Sequence, residues 1–288
     1  MSASVRGVSP LEIRDVRLVW GERTYLMGIV NATPDSFSGD GKPHSEDAIA
    51  HALELRAAGA DLLDIGAEST RPGHEPIDRE EELRRLIPVV QAVRERAPGA
   101  AISIDTSKAD VFRAAVRAGG DMLNSIWGLD DALLAAVVEC DVPVAIMHNK
   151  RVAIYEGDVV DEVLRYLDDQ AQQAVRAGVR PERVILDPGI GFGKLPEHNL
   201  AVLGALGRVV GLGFPTLLGT SRKSTIGKLT GKPAEQRAFG TAATIALAVA
   251  AGIDIVRVHD VAEMRDVVAV ADAIVRGWRP EAWTEKLP

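Results

Sequence analysis

TYLMGIVNATPDSFSGDGKPH, residues 24–44, opens as an apolar run and ends as a stretch that no regular element can hold. Residues 24–30 read as a buried strand. Residues 31–44 then set Pro34, Gly39, Gly41 and Pro43 among polar side chains, with Phe37 the one large apolar group, so they form a long loop rather than a helix. Long loops inside compact domains are functional or disordered.

The same change of character recurs along the chain. Short runs rich in Val, Ile, Leu or Met, each followed by a polar cluster and then by a helical pattern, stand at DLLDIG (61–66), AISIDT (101–106), DMLNSI (121–126), VPVAIMH (142–148), RVILDPG (183–189), PTLLGTS (215–221) and DIVRVHD (254–260). With the first run there are eight. One helical pattern covers 45–58, with Ile49, Ala52 and Leu53 on one face, Glu46 and Asp47 at its start and Gly59 behind it. Another opens at Asp78, with Glu81 three residues on and Leu83, Leu86, Ile87 and Val90 at helical spacing, and Pro88 should kink it.

Eight such strands alternating with helices predict parallel pairing through right-handed crossovers. Their simplest closure is a (β/α)8 TIM barrel, an α/β fold, with an open doubly wound sheet as the alternative. Ahead of the barrel, Leu11, Ile13, Val16, Leu18 and Trp20 alternate with charged neighbours, and Gly21-Glu22 turns into the next run, which is a hairpin signal. The expected organisation is one domain over 1–288, with the hairpin at about 11–24 and the barrel at about 25–278; two domains of about 140 residues are the rival.

With 47% hydrophobic and 26% charged residues the chain is globular, not disordered. A net charge of −8 argues against a broad nucleic-acid footprint and leaves room only for local anion sites. Cys140 is the only cysteine, which excludes an internal disulfide and a thiolate metal cluster and fits a reducing compartment. Arg6, Glu12, Arg14 and Asp15 interrupt the region where a signal peptide needs an apolar core, and the longest uncharged run, 238–253, is shorter than a membrane span. A cytoplasmic protein with no membrane partner is expected.

In a barrel of this kind functional side chains lie at the C-terminal ends of the strands. Those ends carry Asn31, Asp64, Asp105, Asn124, His148, Asp187, then Ser221, Arg222 and Lys223, and finally Arg257 and His259. Helix capping explains some polar residues, and Ser107 with Asp110 reads as a capping box. It does not explain Lys223 or Arg257, because cations are disfavoured at helix N-termini unless an anion sits there. Arg71, presented on the loop STRPG (69–73), joins Lys223, Arg257 and His259 as a candidate polyanion pocket. Asp105, Asn124 and Asp187 form an acceptor-rich set suited to a flat heterocycle that offers N–H donors.

GIGFGK, 189–194, matches neither nucleotide-loop spacing; its glycines imply positive φ or close approach of a ligand, or a tight turn into the helix near Pro196. The six histidines contain no zinc-binding pair, whereas a hard cation held by one or two oxygens and substrate phosphates is compatible with the sequence. His148 and His259 are open to ligand contact or to a supporting role.

Taken together and in order, MGIVNATPDSFS, DIGAESTRPG, SIDT, DPGIGFGK, GTSRKSTIG and RVHD resemble the dihydropteroate synthase family over about residues 25–275. The resemblance implies a barrel enzyme of folate biosynthesis, a sulfonamide target. Such enzymes join 4-aminobenzoate to a hydroxymethyl-dihydropterin diphosphate by dissociative substitution. It also implies small-molecule substrates only, Mg2+, and a homodimer.

By that resemblance Asp105, Asn124, Met147, Asp187, Lys223 and Arg257 hold the pterin, with Asp187 taking a ring N–H and the exocyclic amine. Asn31, Thr70, Arg257 and His259 hold the diphosphate, Asn31 also serving as metal ligand. Asp35, Arg71 and Lys223 carry catalysis, and Phe37, Thr70, Arg71, Pro72, Phe192 and Ser224 line the aminobenzoate pocket. Three positions depart from the common pattern: Ser125 stands where Asp is usual, SGDGKPH replaces SDGGKY, and Ala67 replaces a Gly. Two rivals share the pterin site, a pterin-binding methyltransferase domain and a catalytically silent paralogue. The first does not need Asn31, TPDSF or STRPG.

Overall fold

The computed structural model of the chain describes residues 7–32, 44–68 and 77–280. Asp35, Phe37, Thr70, Arg71 and Pro72 lie outside the described residues. A short antiparallel hairpin, β1 (Leu11–Ile13) and β2 (Val16–Leu18), precedes everything else, with Leu11 opposite Leu18 and Ile13 opposite Val16. Its reversal falls at Arg14-Asp15, where Arg14 adopts φ 55° and donates from Nε to Asp121 at 2.6 Å. Gly21-Glu22 forms a separate turn, closed by Glu22 N–H to Val19 O at 3.1 Å, that leads into the barrel.

Eight parallel strands follow: β3 (Tyr25–Asn31), β4 (Leu62–Gly66), β5 (Ala101–Asp105), β6 (Met122–Ser125), β7 (Val144–Met147), β8 (Val184–Asp187), β9 (Leu217–Leu218) and β10 (Ile255–Val258). Their order is β8-β7-β6-β5-β4-β3-β10-β9. The two ends of that series meet through a parallel bridge between Leu186 and Thr216 and the bond from Leu186 N–H to Pro215 O at 2.8 Å. The sheet is thus a nearly closed (β/α)8 barrel rather than an open doubly wound one.

The α-helices among the described residues are α1 (His44–Ala57), α2 (Arg79–Arg96), α3 (Ala109–Arg117), α4 (Asp131–Cys140), α5 (Val159–Arg176), α6 (Pro196–Gly204), α7 (Leu206–Val210), α8 (Ser224–Thr230), α9 (Ala238–Ala251) and α10 (Val261–Val275). Asp78 caps α2 by accepting from Glu81 N–H at 2.8 Å, and α2 continues through Pro88 without interruption. The capping box expected at Ser107 does not form. Lys108 is the cap residue of α3 and supplies no side-chain bond, because an ammonium cannot accept a helix N–H; it donates to Glu68 at 2.5 Å and Glu82 at 2.6 Å.

Side-chain alternation divides the barrel into two regions. Outward residues such as Leu63, Ile65, Ile102, Ile104 and Leu123 join Leu86, Val90 and Phe112 of the helices in one buried core, each contributing about 1.5–3 kcal/mol. Inward residues near the strand starts, Tyr25, Met27, Leu62, Ala101, Met122, Ala145, Ile185, Leu217 and Ile255, form a second core with Leu11, Ile13, Val16, Leu18 and Trp20. All eight strands contribute to it, so the hairpin plugs the N-terminal end of the barrel. Two residues further along, the same inward face reads Asp64, Ser103, Asn124, Met147, Asp187, Gly219 and Arg257. The apolar plug leaves the polar chemistry at the C-terminal end.

Candidate active site at the C-terminal face

Asp64 is the centre of the polar layer. It is fully buried, and its carboxylate accepts from Ser103 Oγ at 2.6 Å, Asn124 Nδ2 at 2.9 Å and Arg257 Nε at 2.5 Å. Arg257 reaches on to Asp105 Oδ2 at 3.0 Å, so one guanidinium bridges two carboxylates. Burial alone would lower Arg257; Asp64 and Asp105 hold it above its usual value. The Asp105 carboxyl is pushed up to about 7 by burial and by Asp64, against the pull of Arg257. Asp105 lies opposite Asn124 in the register of β5 and β6. Because the Asn124 amide donates to Asp64, its carbonyl oxygen is left to accept.

Asp187 ends β8 opposite Met147, and both are buried. Its Oδ1 accepts from Gly189 N–H at 2.7 Å. Burial raises the Asp187 carboxyl, opposed by Lys223. Lys223 is itself pulled down to about 8 by burial, with Asp187 acting against that shift. Its ammonium donates to Ile190 O and stands 4.3 Å from the centre of the Phe192 ring. Phe192, a loop aromatic without a core to join, therefore packs against a charged residue of the site.

The 188–194 loop owes its path to three glycines with φ 70°, 82° and 56° at 189, 191 and 193. A Cβ at Gly189 would fall 1.9 Å from His148 O, and one at Gly193 would fall 2.2 Å from Lys150 O. GIGFGK thus has the positive φ and the tight turn expected of it, and it packs closely on the protein itself, with Lys223 Cδ 2.9 Å from a Cβ placed on Gly191.

Among the described candidates, Asp105, Asn124, Met147, Asp187, Phe192, Lys223 and Arg257 come together by the contacts and registers above. Asn31 ends β3 half-buried, opposite Gly66 of β4. Ser224 opens α8 and is exposed. His259 lies after β10, with Nδ1 2.9 Å from Ser221 Oγ, which also accepts the His259 N–H at 3.1 Å. Arg222, with φ 58°, turns to Asp260 at 3.1 Å and braces the loop rather than joining Lys223.

His148 takes the supporting role. Buried beside Lys194 at 2.9 Å and edge-on to Tyr166 at 5.0 Å, it is pushed down to about 3 by burial and by Lys194, and stays neutral. Asp64, quoted from the sequence only as a strand end, and Lys194, not singled out at all, are the residues that sequence reasoning left without a role. Asp64 could have been found from its inward parity with Ser103 and Asn124. Nothing local marks Lys194.

Two of the unusual positions have plain accounts. Ser125 donates to Gly128 O in the turn after β6, so it is committed to the backbone. Ala67 is not among the described residues with positive φ, so its backbone does not require Gly. Among the described residues no group of three His, Cys, Asp or Glu side chains could hold a metal ion.

The family model described as pterin binding enzyme matches residues 27–259. A dihydropteroate synthase of Synechocystis is 44% identical over 281 residues, covering 94% of this chain and 96% of that relative. The structure of Xanthomonas albilineans dihydropteroate synthase with 4-aminobenzoic acid superposes with a TM-score of 0.88 at 44% identity, over 92% of this chain and 97% of that one. The same enzyme in complex with 7,8-dihydropteroate gives a TM-score of 0.85 at 42% identity, over 92% and 98%. By fold and by sequence across nearly its whole length, the chain belongs to the dihydropteroate synthases within the pterin-binding enzymes.

Proposed function

We propose that the chain condenses 6-hydroxymethyl-7,8-dihydropterin diphosphate with 4-aminobenzoate, giving 7,8-dihydropteroate and pyrophosphate. The observation that carries this is the meeting of Asp187 and Lys223 with Asp105 and Asn124 on one buried, polar barrel face. A carboxylate is the natural acceptor for the paired N–H donors of the pterin's amino-pyrimidine edge, and Lys223 suits its carbonyl. Asp64 holds Arg257 and Asn124 in place, while Met147 lies beside Asp187 to pack against the ring.

The C–O bond to the diphosphate breaks first, its electron pair leaving with pyrophosphate, and the cation on the exocyclic carbon spreads into the dihydropterin ring. The aniline nitrogen then forms the C–N bond and loses a proton. His259, Thr70 and Arg257 bind the departing group, and Asp35 sets a negative charge near the cation. Arg71, Pro72, Phe37, Thr70, Phe192 and Ser224 form the aminobenzoate pocket. The amide oxygen of Asn31 is a single neutral hard donor, which fits Mg2+ whose other ligands come from diphosphate and water. When bound, Mg2+ would offset the charge of the leaving group.

The homodimer reading is supported by α9 and α10. Phe239 is 85% exposed and Leu247 69% on one, Val270 62% and Ile274 78% on the other, an apolar surface suited to a second copy of the chain. Competition between sulfonamides and 4-aminobenzoate follows from the same pocket, and a cytoplasmic location from the family. No helix among the described residues is long and apolar enough to cross a membrane.

Incubation with the dihydropterin diphosphate, labelled 4-aminobenzoate and Mg2+ tests the proposal. Labelled dihydropteroate is the expected product; its absence despite pterin binding would leave a silent paralogue.

A further inference from the structure

Lys194 sits behind the loop that carries Phe192. Its ammonium donates to Gly189 O at 2.9 Å, Phe192 O at 3.2 Å and His148 O at 3.3 Å, and lies 2.9 Å from His148 Nδ1. Two of these oxygens belong to the loop itself, turned inward by the positive φ of its glycines. The described hydrogen bonds of Lys194 go to backbone carbonyls and a neutral imidazole, while burial pulls its ammonium down to about 7 and the Asp187 carboxylate acts against that shift. A group placed this way shapes a loop.

The loop's remaining fastenings point the same way. Tyr155 Oη donates to Gly193 O at 2.8 Å, and Gly191 N–H donates to Asn199 Oδ1 at 2.7 Å. On the other side Lys223 takes Ile190 O and packs on the Phe192 ring. The loop is held between two lysines, one in the pterin site and one behind it.

We infer that Lys194 is a positioning residue for the second substrate, fixing Phe192 over Lys223 so that the aminobenzoate pocket has one shape. The inference rests on the assignment of Phe192 to that pocket. Asp187, Asp105 and Asn124 stand on strands; Lys194 is linked to Asp187 through Gly189 and through its charge, so its effect on pterin binding is expected to be smaller than its effect on aminobenzoate.

Lys194→Met keeps the apolar stem and removes the donors. The expected result is a KM for 4-aminobenzoate raised about tenfold or more, with the Kd for the dihydropterin diphosphate within about threefold of the unaltered protein. Tyr155→Phe, which removes one loop bond, should shift the same KM by about threefold with pterin binding unchanged. An unchanged aminobenzoate KM in a folded Lys194→Met protein, or equal weakening of both substrates, would overturn the inference. If Lys194→Met does not fold, Tyr155→Phe decides: an unmoved KM overturns it and a selective rise supports it. Absence of turnover in the unaltered protein would instead strike at the proposed function.

Discussion

Asp187→Asn should weaken binding of the dihydropterin diphosphate by about two orders of magnitude while leaving the fold intact. The present carboxylate accepts Gly189 N–H at 2.7 Å and is only 5% exposed. An asparagine can keep that bond only with its carbonyl oxygen, which turns its NH2 toward the ligand. The pterin's N–H then faces a donor where it had a charged acceptor. Losing charge-assisted hydrogen bonds worth about 1.5–3 kcal/mol each, with a donor left unpaired in a buried site, gives about 3 kcal/mol, or roughly 150-fold. The variant also removes the group that holds Lys223 up against burial, so the Lys223 ammonium should titrate below about 8. Calorimetric titration with the pterin substrate at fixed pH measures the first effect, and far-UV circular dichroism checks the fold. A folded variant whose Kd rises by less than about threefold would refute the acceptor role of Asp187.

Three other outcomes are expected. Asp35→Ala should spare pterin binding and lower kcat by about tenfold or more, read in steady-state assays beside pterin calorimetry; equal loss of both would mean the division of roles is wrong. Asp105 binds its proton more tightly folded than unfolded, so its contribution to stability is present below the unfolded value of 3.8 and declines as pH rises to about 7. Asp105→Asn should therefore flatten the pH dependence of the urea midpoint between those limits, and an unchanged slope would exclude Asp105 as its source. Phe239→Glu should shift the protein from dimer to monomer in sedimentation velocity; unaltered protein that sediments as a monomer would refute the dimer.

Strand positions were legible because a buried strand writes a short branched run and a barrel places a polar group after each. DLLDIG and AISIDT became β4 and β5 with little change at their ends. PTLLGTS shrank to Leu217–Leu218, with Thr216 joined to β8 only by a single bridge and the loop around Ser221 bonded to His259. The hairpin reverses at Arg14-Asp15, ahead of the Gly21-Glu22 turn, although only Asp15 of that pair is a usual turn residue. Arg14 enters the left-handed region while bonded to Asp121, 107 residues away. Ser107 does not cap α3 because the cap position falls one residue later, at Lys108.

The candidate site shows the same division. Asp105, Asn124, Asp187, Lys223 and Arg257 could be placed on one face from strand ends alone. Asp64 shares the inward parity of Asn124, but its role lies in bonds to Ser103, Asn124 and Arg257, which are 39, 60 and 193 residues away. Lys194 reads as the end of a glycine-rich turn until its partner His148, 46 residues earlier, is seen beside it. The family's motifs supplied assignments for Asp35, Phe37, Thr70, Arg71 and Pro72, which lie outside the described residues.

The most direct test of the account is product stoichiometry. With both substrates and Mg2+, pyrophosphate and 7,8-dihydropteroate should appear in equal amounts, and omission of 4-aminobenzoate should abolish dihydropteroate. Pterin binding with neither product, or pyrophosphate released without dihydropteroate when both substrates are present, would contradict it.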